Sequence, residues 1–341
     1  MRAALIEQTG GPEVIHVGQV PEPTPGPGQV RVRVAVAGLN PIDVYVRAGT
    51  VAMPLPKPFF PASDLAGVVE AIGPGVTRFQ PGDRVWGSNQ GLLGRQGTTA
   101  EFVCVEEDWL YPIPEGVGEM DAAAAALTGI TAHLGLFRHA QLQPGETLFV
   151  HGGTGGVGSM VVQMAKAIGA KVICTVGSAE KAELCRRWGA DVVLQYKSDD
   201  LTQALPKAIE QLTGGKGLNV WFETQRQIDL PTVIERMAPR GRIILIAGRA
   251  AQATLPVGPF YVKGLSLHGF AMFNATPEEQ RACAEAINRW LAQGQLHPPV
   301  GATFPLEQTA EAHRLLEANT LHGAGTLIGK VLIQVQGPGL A

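Results

Sequence analysis

A chain of 341 residues is long enough for about two domains and a large buried core. Its 45% hydrophobic and 17% charged content excludes a disordered polymer, and a formal net charge of -3 offers no broad footprint for nucleic acid, so no nucleic-acid partner is expected. The four cysteines, Cys104, Cys174, Cys185 and Cys283, are far apart with no C-x-x-C pair, which argues against a disulfide framework and a structural zinc lobe. Residues 1–8 turn polar too soon for a signal peptide, and no apolar run approaches the roughly 20 residues that span a bilayer. A reducing, cytoplasmic setting without a membrane partner is therefore the expectation.

Residues 1–121 have an all-β texture. Residues 21–28, with four prolines and two glycines, cannot enter a sheet interior and read as a surface connection. Residues 29–36 then alternate valine with polar or small residues, the period of a strand with one buried face. Residues 65–73 and 80–86 read as further strands, and residues 89–99, glycine-rich and poor in apolar side chains, as a mobile loop. Over 122–264 strand-like runs recur at 147–151, 171–176, 191–194, 218–222 and 241–246 with helical stretches between them. That alternation predicts an α/β fold with a doubly wound parallel sheet covered on both faces. After it, 265–270 reads as a strand, 277–294 as a helix with Thr276 as N-cap, and 302–304 and 330–335 as strands flanking a helix over 306–318. The expected division is a first domain of 1–121, completed by 265–341, and a second of 122–264.

The strongest motif follows the run 146–150. Gly153, Gly155 and Gly158 supply G-x-G-x-x-G spacing between a predicted strand and a helical run that ends at Gly169, and a second strand over 171–176 completes a βαβ unit. Gly153 permits the tight turn, Gly155 lets phosphates approach the backbone, and Gly158 lets the helix pack close to the strand. Backbone N–H groups and the positive end of a helix dipole then converge where a pyrophosphate can sit. A glycine-rich turn that binds nothing is the competing reading.

With these elements in place, the chain resembles the medium-chain dehydrogenase/reductase superfamily, and within it the zinc-free quinone oxidoreductases of the zeta-crystallin type. The likeness rests on residues 10–14, 38–49, 82–85, and 151–158 followed by Gly177. It implies a GroES-like β domain built from both chain ends with a Rossmann domain between, and a homodimer or homotetramer. Zinc alcohol dehydrogenases of the superfamily use a cysteine where this chain has Asn40 and a His-Glu pair where it has Ser63 and Asp64. An amide and a hydroxyl are poor zinc ligands, so no zinc is expected. Without a Lewis acid, hydride transfer to a quinone or an enone is favoured, because the developing charge spreads to an oxygen remote from the attacked carbon.

The second Rossmann strand ends without a carboxylate at its tip, and Lys181 follows in the first turn of the next helix, which favours a 2′-phosphate and hence NADPH over NADH. Glu180, within reach of a 2′-hydroxyl, is the counter-signal. By resemblance the cofactor-binding set comprises Thr128; Gly153, Thr154, Gly155, Gly156, Val157 and Gly158; Gly177, Ser178, Lys181 and Tyr196; Ala247, Gly248 and Arg249; and Phe270 and Met272. Tyr196 reads equally as a half-buried residue after its strand, Phe270 as core, and Thr128 as a hydroxyl bonded to its own helix. One departure from the pattern stands out: residues 222–226 lack the glycine that relatives often carry after the fourth strand.

Asn40 and Tyr45 are on the segment that faces the nicotinamide in relatives, and the resemblance makes them the catalytic candidates. Both would orient the substrate oxygen, with the final proton from water or Tyr45; a packing role for Tyr45 is the alternative. A second function of another class is a cofactor-binding, crystallin-like structural or regulatory protein with little turnover.

Overall fold

A computed structural model describes residues 1–336. In chain order the first elements are β1 (Arg2–Leu5), β2 (His16–Gln19), β3 (Gln29–Leu39), α1 (Pro41–Arg47), β4 (Asp64–Ile72), β5 (Arg84–Gly87), β6 (Phe102–Glu106) and β7 (Leu110–Pro112). Helix α2 (Glu119–His133) leads into β8 (Thr147–Val150), α3 (Gly156–Ala167), β9 (Lys171–Val176), α4 (Ala179–Arg187), β10 (Val192–Gln195), α5 (Leu201–Thr213), β11 (Leu218–Glu223), α6 (Leu230–Arg236), β12 (Met237–Leu245), α7 (Val257–Val262) and β13 (Ser266–Gly269). The chain closes through α8 (Pro277–Ala292), β14 (Val300–Pro305), α9 (Thr309–Thr320) and β15 (Lys330–Gln334).

The first compact unit joins Met1–Leu127 to the segment from Ala275 onward. Its larger sheet runs β14-β15-β3-β4-β5-β7, with β6 paired to the near end of β3. The alternation in β3 does what its period implies: Val30, Val32, Val34 and Val36 are buried, while the residues between them face partly outward. The C-terminal strand β15 pairs antiparallel with β3, Val331 against Leu39, so the end of the chain lies beside the residue that starts α1. Residues 337–341, the tail of the segment expected to complete this unit, lie outside the described residues.

The second unit, Thr128–Asn274, is a six-stranded sheet in the order β10-β9-β8-β11-β12-β13, with every pairing parallel. Helix–strand alternation requires this, since a parallel neighbour is reached only through a crossover. The order reverses between β8 and β11, which makes the carboxyl ends of those strands the switch point where α/β sheets bind ligands. On one face Phe149, Ile173, Leu218 and Ile243 pack with Leu205 and Ile209 of α5 and with Val233 and Ile234 of α6.

The compact units divide at 127/128 and 274/275. Three expectations shift. Strand β13 pairs with β12, Leu267 against Ile243, and therefore belongs to the parallel sheet. The stretch Glu119–His139 is long and apolar enough by composition to cross a membrane, contrary to the reading of the sequence, but 78% of its most apolar window is buried in the protein, as in a core helix. Residues 89–99 form no strand or helix, yet they are pinned. Arg95 Nε donates to the Asn89 carbonyl at 2.7 Å, Gln96 Oε1 accepts the Phe60 N–H at 2.8 Å, and Asn89, Gln90, Leu92, Thr98 and Thr99 are buried. Side-chain amides supply there the order that apolar residues supply elsewhere.

His313 of α9 is fully buried, and burial followed by the positive charge of Arg47 lowers its pKa to about 3. Unfolded chain takes up that proton below its ordinary value near 6.5 while the native protein does not, so the contribution is complete above pH 6.5 and is lost as pH falls towards 3. His313→Leu is expected to flatten the decline of unfolding free energy between pH 7 and 4 in urea titrations; an unchanged slope would contradict the assignment.

Candidate active site

The first unit gathers six polar side chains, each no more than 4% exposed: Asn40, Asp43, Ser63, Asp64, Ser88 and Lys330. Asn40 precedes α1, and its backbone N–H donates to Asp43 Oδ2 at 2.7 Å, which fixes the first turn. Its side-chain Nδ2 donates to Ser63 Oγ at 2.9 Å and to Asp64 Oδ2 at 2.7 Å, while its Oδ1 accepts from Lys330 Nζ. Lys330 Nζ also reaches Asp64 Oδ2 at 2.5 Å. Ser63 Oγ donates to Asp43 Oδ2 at 3.1 Å. Asp64 Oδ1 accepts from Ser88 Oγ at 2.7 Å and from the Leu127 N–H at 3.2 Å. Burial, and then the neighbouring charge of Asp64, push the Asp43 carboxyl up to about 7.

Both amide hydrogens of Asn40 and its oxygen are thus engaged within the protein. Its side chain joins Ser63, Asp64 and Lys330, and its backbone N–H holds the first turn of α1. Tyr45, on the same helix, is only partly buried, and its backbone carbonyl accepts the N–H groups of Thr50 and Val51. Among the described residues no three His, Cys, Asp or Glu side chains gather as a metal-ligand set.

In the second unit the glycine turn joins β8 to α3. The Gly153 N–H donates to the Thr175 carbonyl at 2.9 Å and the Gly152 N–H to Thr175 Oγ1 at 3.1 Å, tying the turn to β9. A Cβ on Gly158 would stand 2.1 Å from the Gly152 carbonyl oxygen, so only glycine allows α3 this close to the turn. Helix α3 has no side-chain cap and no acidic residue in its first turn, which leaves its positive end available to an anion. Thr154 is buried, Gly155 exposed, and Gly156 and Val157 intermediate.

At the tip of β9, the Tyr196 hydroxyl sits 2.5 Å from where a Cβ of Gly177 would be. Ser178 caps α4 by accepting the Lys181 N–H at 3.3 Å. Lys181 is 9% exposed, and burial followed by the charge of Lys197 lowers its pKa. Glu180 is exposed. Further along the sheet, Ala247, Gly248 and Arg249 follow β12, and the Gly248 carbonyl accepts the Ala251 N–H at 2.7 Å in a turn. Phe270, just past β13, stacks on His139 with ring centroids 4.5 Å apart, and Met272 is buried. Thr128, also buried, opens this unit within α2.

Two family models match the chain: "Alcohol dehydrogenase GroES-like domain" over residues 26–115 and "Zinc-binding dehydrogenase" over residues 156–289. The human protein named quinone oxidoreductase is 32% identical over 98% of this chain and 97% of its own. The Escherichia coli quinone oxidoreductase, solved in complex with NADPH, superposes with a TM-score of 0.82 at 27% identity, covering 98% of this chain and all of that one (100%). A structure described as an NAD-dependent alcohol dehydrogenase gives a TM-score of 0.84 at 35% identity, over 98% of this chain and 100% of its own. The chain belongs to the quinone oxidoreductase family of medium-chain dehydrogenases/reductases.

Within this oxidoreductase the segment that lacks the usual glycine has a definite form. Glu223 ends β11 with 3% exposure, accepts from Trp221 Nε1 at 3.0 Å and from the Gln225 N–H at 2.8 Å, and lies 3.1 Å from His151 Nδ1. Thr224 Oγ1 donates to the His151 carbonyl. The departure therefore braces the entry to the glycine turn from the neighbouring strand. Lys330, Ser88, Lys197 and the Glu223–His151 pair escaped the sequence reading. Only Lys330 left a signal, a charge opening the otherwise apolar run that becomes β15.

Proposed function

We propose that the chain is an NADPH-dependent oxidoreductase that reduces a quinone or an α,β-unsaturated carbonyl without zinc. The observation that carries the cofactor reading is Lys181, a lysine nearly out of solvent whose charge is disfavoured by burial and by Lys197, effects that the nearby Glu180 opposes but does not outweigh. A phosphate beside it offsets both effects, whereas a ribose 2′-hydroxyl offsets neither. Gly177, Ser178, Lys181 and Tyr196 would hold that 2′-phosphate, the 153–158 turn and the start of α3 the pyrophosphate, and residues 247–249 with Phe270 and Met272 the nicotinamide end. The names of the human and Escherichia coli relatives support the quinone reading; the NAD-dependent neighbour makes the choice of nucleotide a matter for direct test.

When bound, NADPH supplies a hydride. This chain's part is to orient the acceptor: Tyr45 donates its phenolic O–H to the acceptor's oxygen, which gains negative charge as the hydride arrives. The donor chemistry supports a reaction without zinc, because the amide of Asn40 and the hydroxyl of Ser63 are weak ligands and Asp64 already carries the Lys330 ammonium. The four free thiols, three of them buried, suit a cytoplasmic setting. Two or more copies are proposed to associate through α7 and the edge strand β13, where Val257, Tyr261 and Val262 are 62%, 70% and 74% exposed and Leu267 is 39% exposed.

Lys181→Gln is expected to weaken NADPH binding by about tenfold to a hundredfold while leaving NADH binding little changed, since a charge-assisted bond is lost; fluorescence titration with both nucleotides decides it, and equal effects on the two would remove Lys181 from the 2′ site. Tyr45→Phe should lower kcat with 1,4-benzoquinone by about 100-fold with folding unchanged, and wild-type turnover in that variant would take Tyr45 out of the reaction. Sedimentation equilibrium is expected to show a dimer or tetramer that Val262→Glu dissociates; a monomeric wild type would rule the surface out.

A further inference from the structure

The first unit spends an unusual amount of buried charge on one place. Lys330 is 3% exposed and Asp64 0%, and neither is on a surface where an ion pair forms by chance. The site is also built to admit the lysine arm. The register pairs Gly38 of β3 with Asp64 on one side and Leu332 on the other. A Cβ on Gly38 would stand 3.0 Å from Asp64 Cβ and 3.1 Å from Lys330 Cε, so the glycine leaves the passage through which the ammonium reaches Asn40 and Asp64. From Asn40 the connection continues into α1 through the Asp43 carboxylate, which accepts the Asn40 N–H and the Ser63 hydroxyl.

We propose that Lys330 is a positioning residue for the reduction assigned above. The Lys330 side chain, from β15, locks the Asn40 side chain and, through Ser63 and Asp43, the first turn of the helix that carries Tyr45. Hydroxyl partners, which can donate or accept, would leave either orientation of an amide satisfied. Here the ammonium can only donate and the carboxylate of Asp64 can only accept, so one orientation of Asn40 survives, and with it the Nδ2 donation to Ser63, whose hydroxyl in turn donates to Asp43 in the first turn of α1. Lys330 itself touches no reacting atom in this account. It acts through α1, and its effect is on where the Tyr45 hydroxyl is held.

The inference rests on the functional reading for its kinetic test but not for its structural one. Lys330→Met is expected to lower kcat with 1,4-benzoquinone by about 100-fold, the cost of a small misplacement of a catalytic group, with NADPH affinity unchanged because the other unit supplies the glycine turn. Since that variant leaves Asp64 without its counter-charge and is prone to misfold, the deciding protein is Lys330→Met with Asp64→Asn. Its melting temperature should return towards wild type while its kcat stays low. A double variant that recovers kcat together with its melting temperature would show that the pair only balances charge, and would overturn the proposal. If the wild type turns over no quinone or enone, the functional reading fails alone. The crystal structure of the double variant then decides: a turned Asn40 amide and a shifted α1 sustain the positioning role, and an unmoved helix ends it.

Discussion

A charged lysine out of reach of water is tolerable only if other groups replace its hydration, and the first unit is arranged around that demand. Lys330 finds a carboxylate and an amide oxygen, and Asp64 in turn is bonded by Lys330, Asn40, Ser88 and the backbone of Leu127. Removing one member of such a pair leaves an uncompensated buried charge and typically costs about 3–5 kcal/mol, whereas the intact pair contributes little net stability. Its value is geometric. Residues from β4, β15, the residue after β5 and the segment before α1 must arrive together, or none of them is satisfied.

The second unit meets its own electrostatic demand differently. The entry to the glycine turn is braced by Glu223 and Thr224 against His151. The turn itself is tied by backbone bonds to β9, while the start of α3 is left without a cap and Lys181 is left beside Lys197. An uncapped helix start and a buried cation each favour an approaching anion. The polar cluster of the first unit is therefore closed upon itself, whereas the start of α3 in the second is open to an anion. A fold can afford such an opening because the remainder of the parallel sheet is packed with apolar side chains on one face.

The parallel sheet, the glycine turn and the GroES-like unit were legible because they rest on local signals: a period of two, a period near 3.6 and glycines at fixed offsets. Thr276 likewise caps its helix as its side chain and position imply, accepting the Glu279 N–H. What escaped depends on long-range partners. The partners of the Asn40 amide are hidden in the sequence because Lys330, which bonds its oxygen, is 290 residues away. Residues 89–99 read as mobile because order supplied by Arg95 and Gln96 has no periodic signature. Strand β13 was assigned to the first domain because a short strand carries no mark of the sheet it joins, and only pairing with β12 decides it. The brace made by Glu223 and Thr224 was visible only as a missing glycine.

The central claim is that an internal cation and a phenol, rather than a metal, serve the hydride transfer. Protein dialysed against a strong chelator and checked by elemental analysis should still oxidise NADPH with 9,10-phenanthrenequinone, and NADPH deuterated at the transferred position should turn over more slowly. Turnover that vanishes on dialysis and returns only when zinc is added would contradict the account.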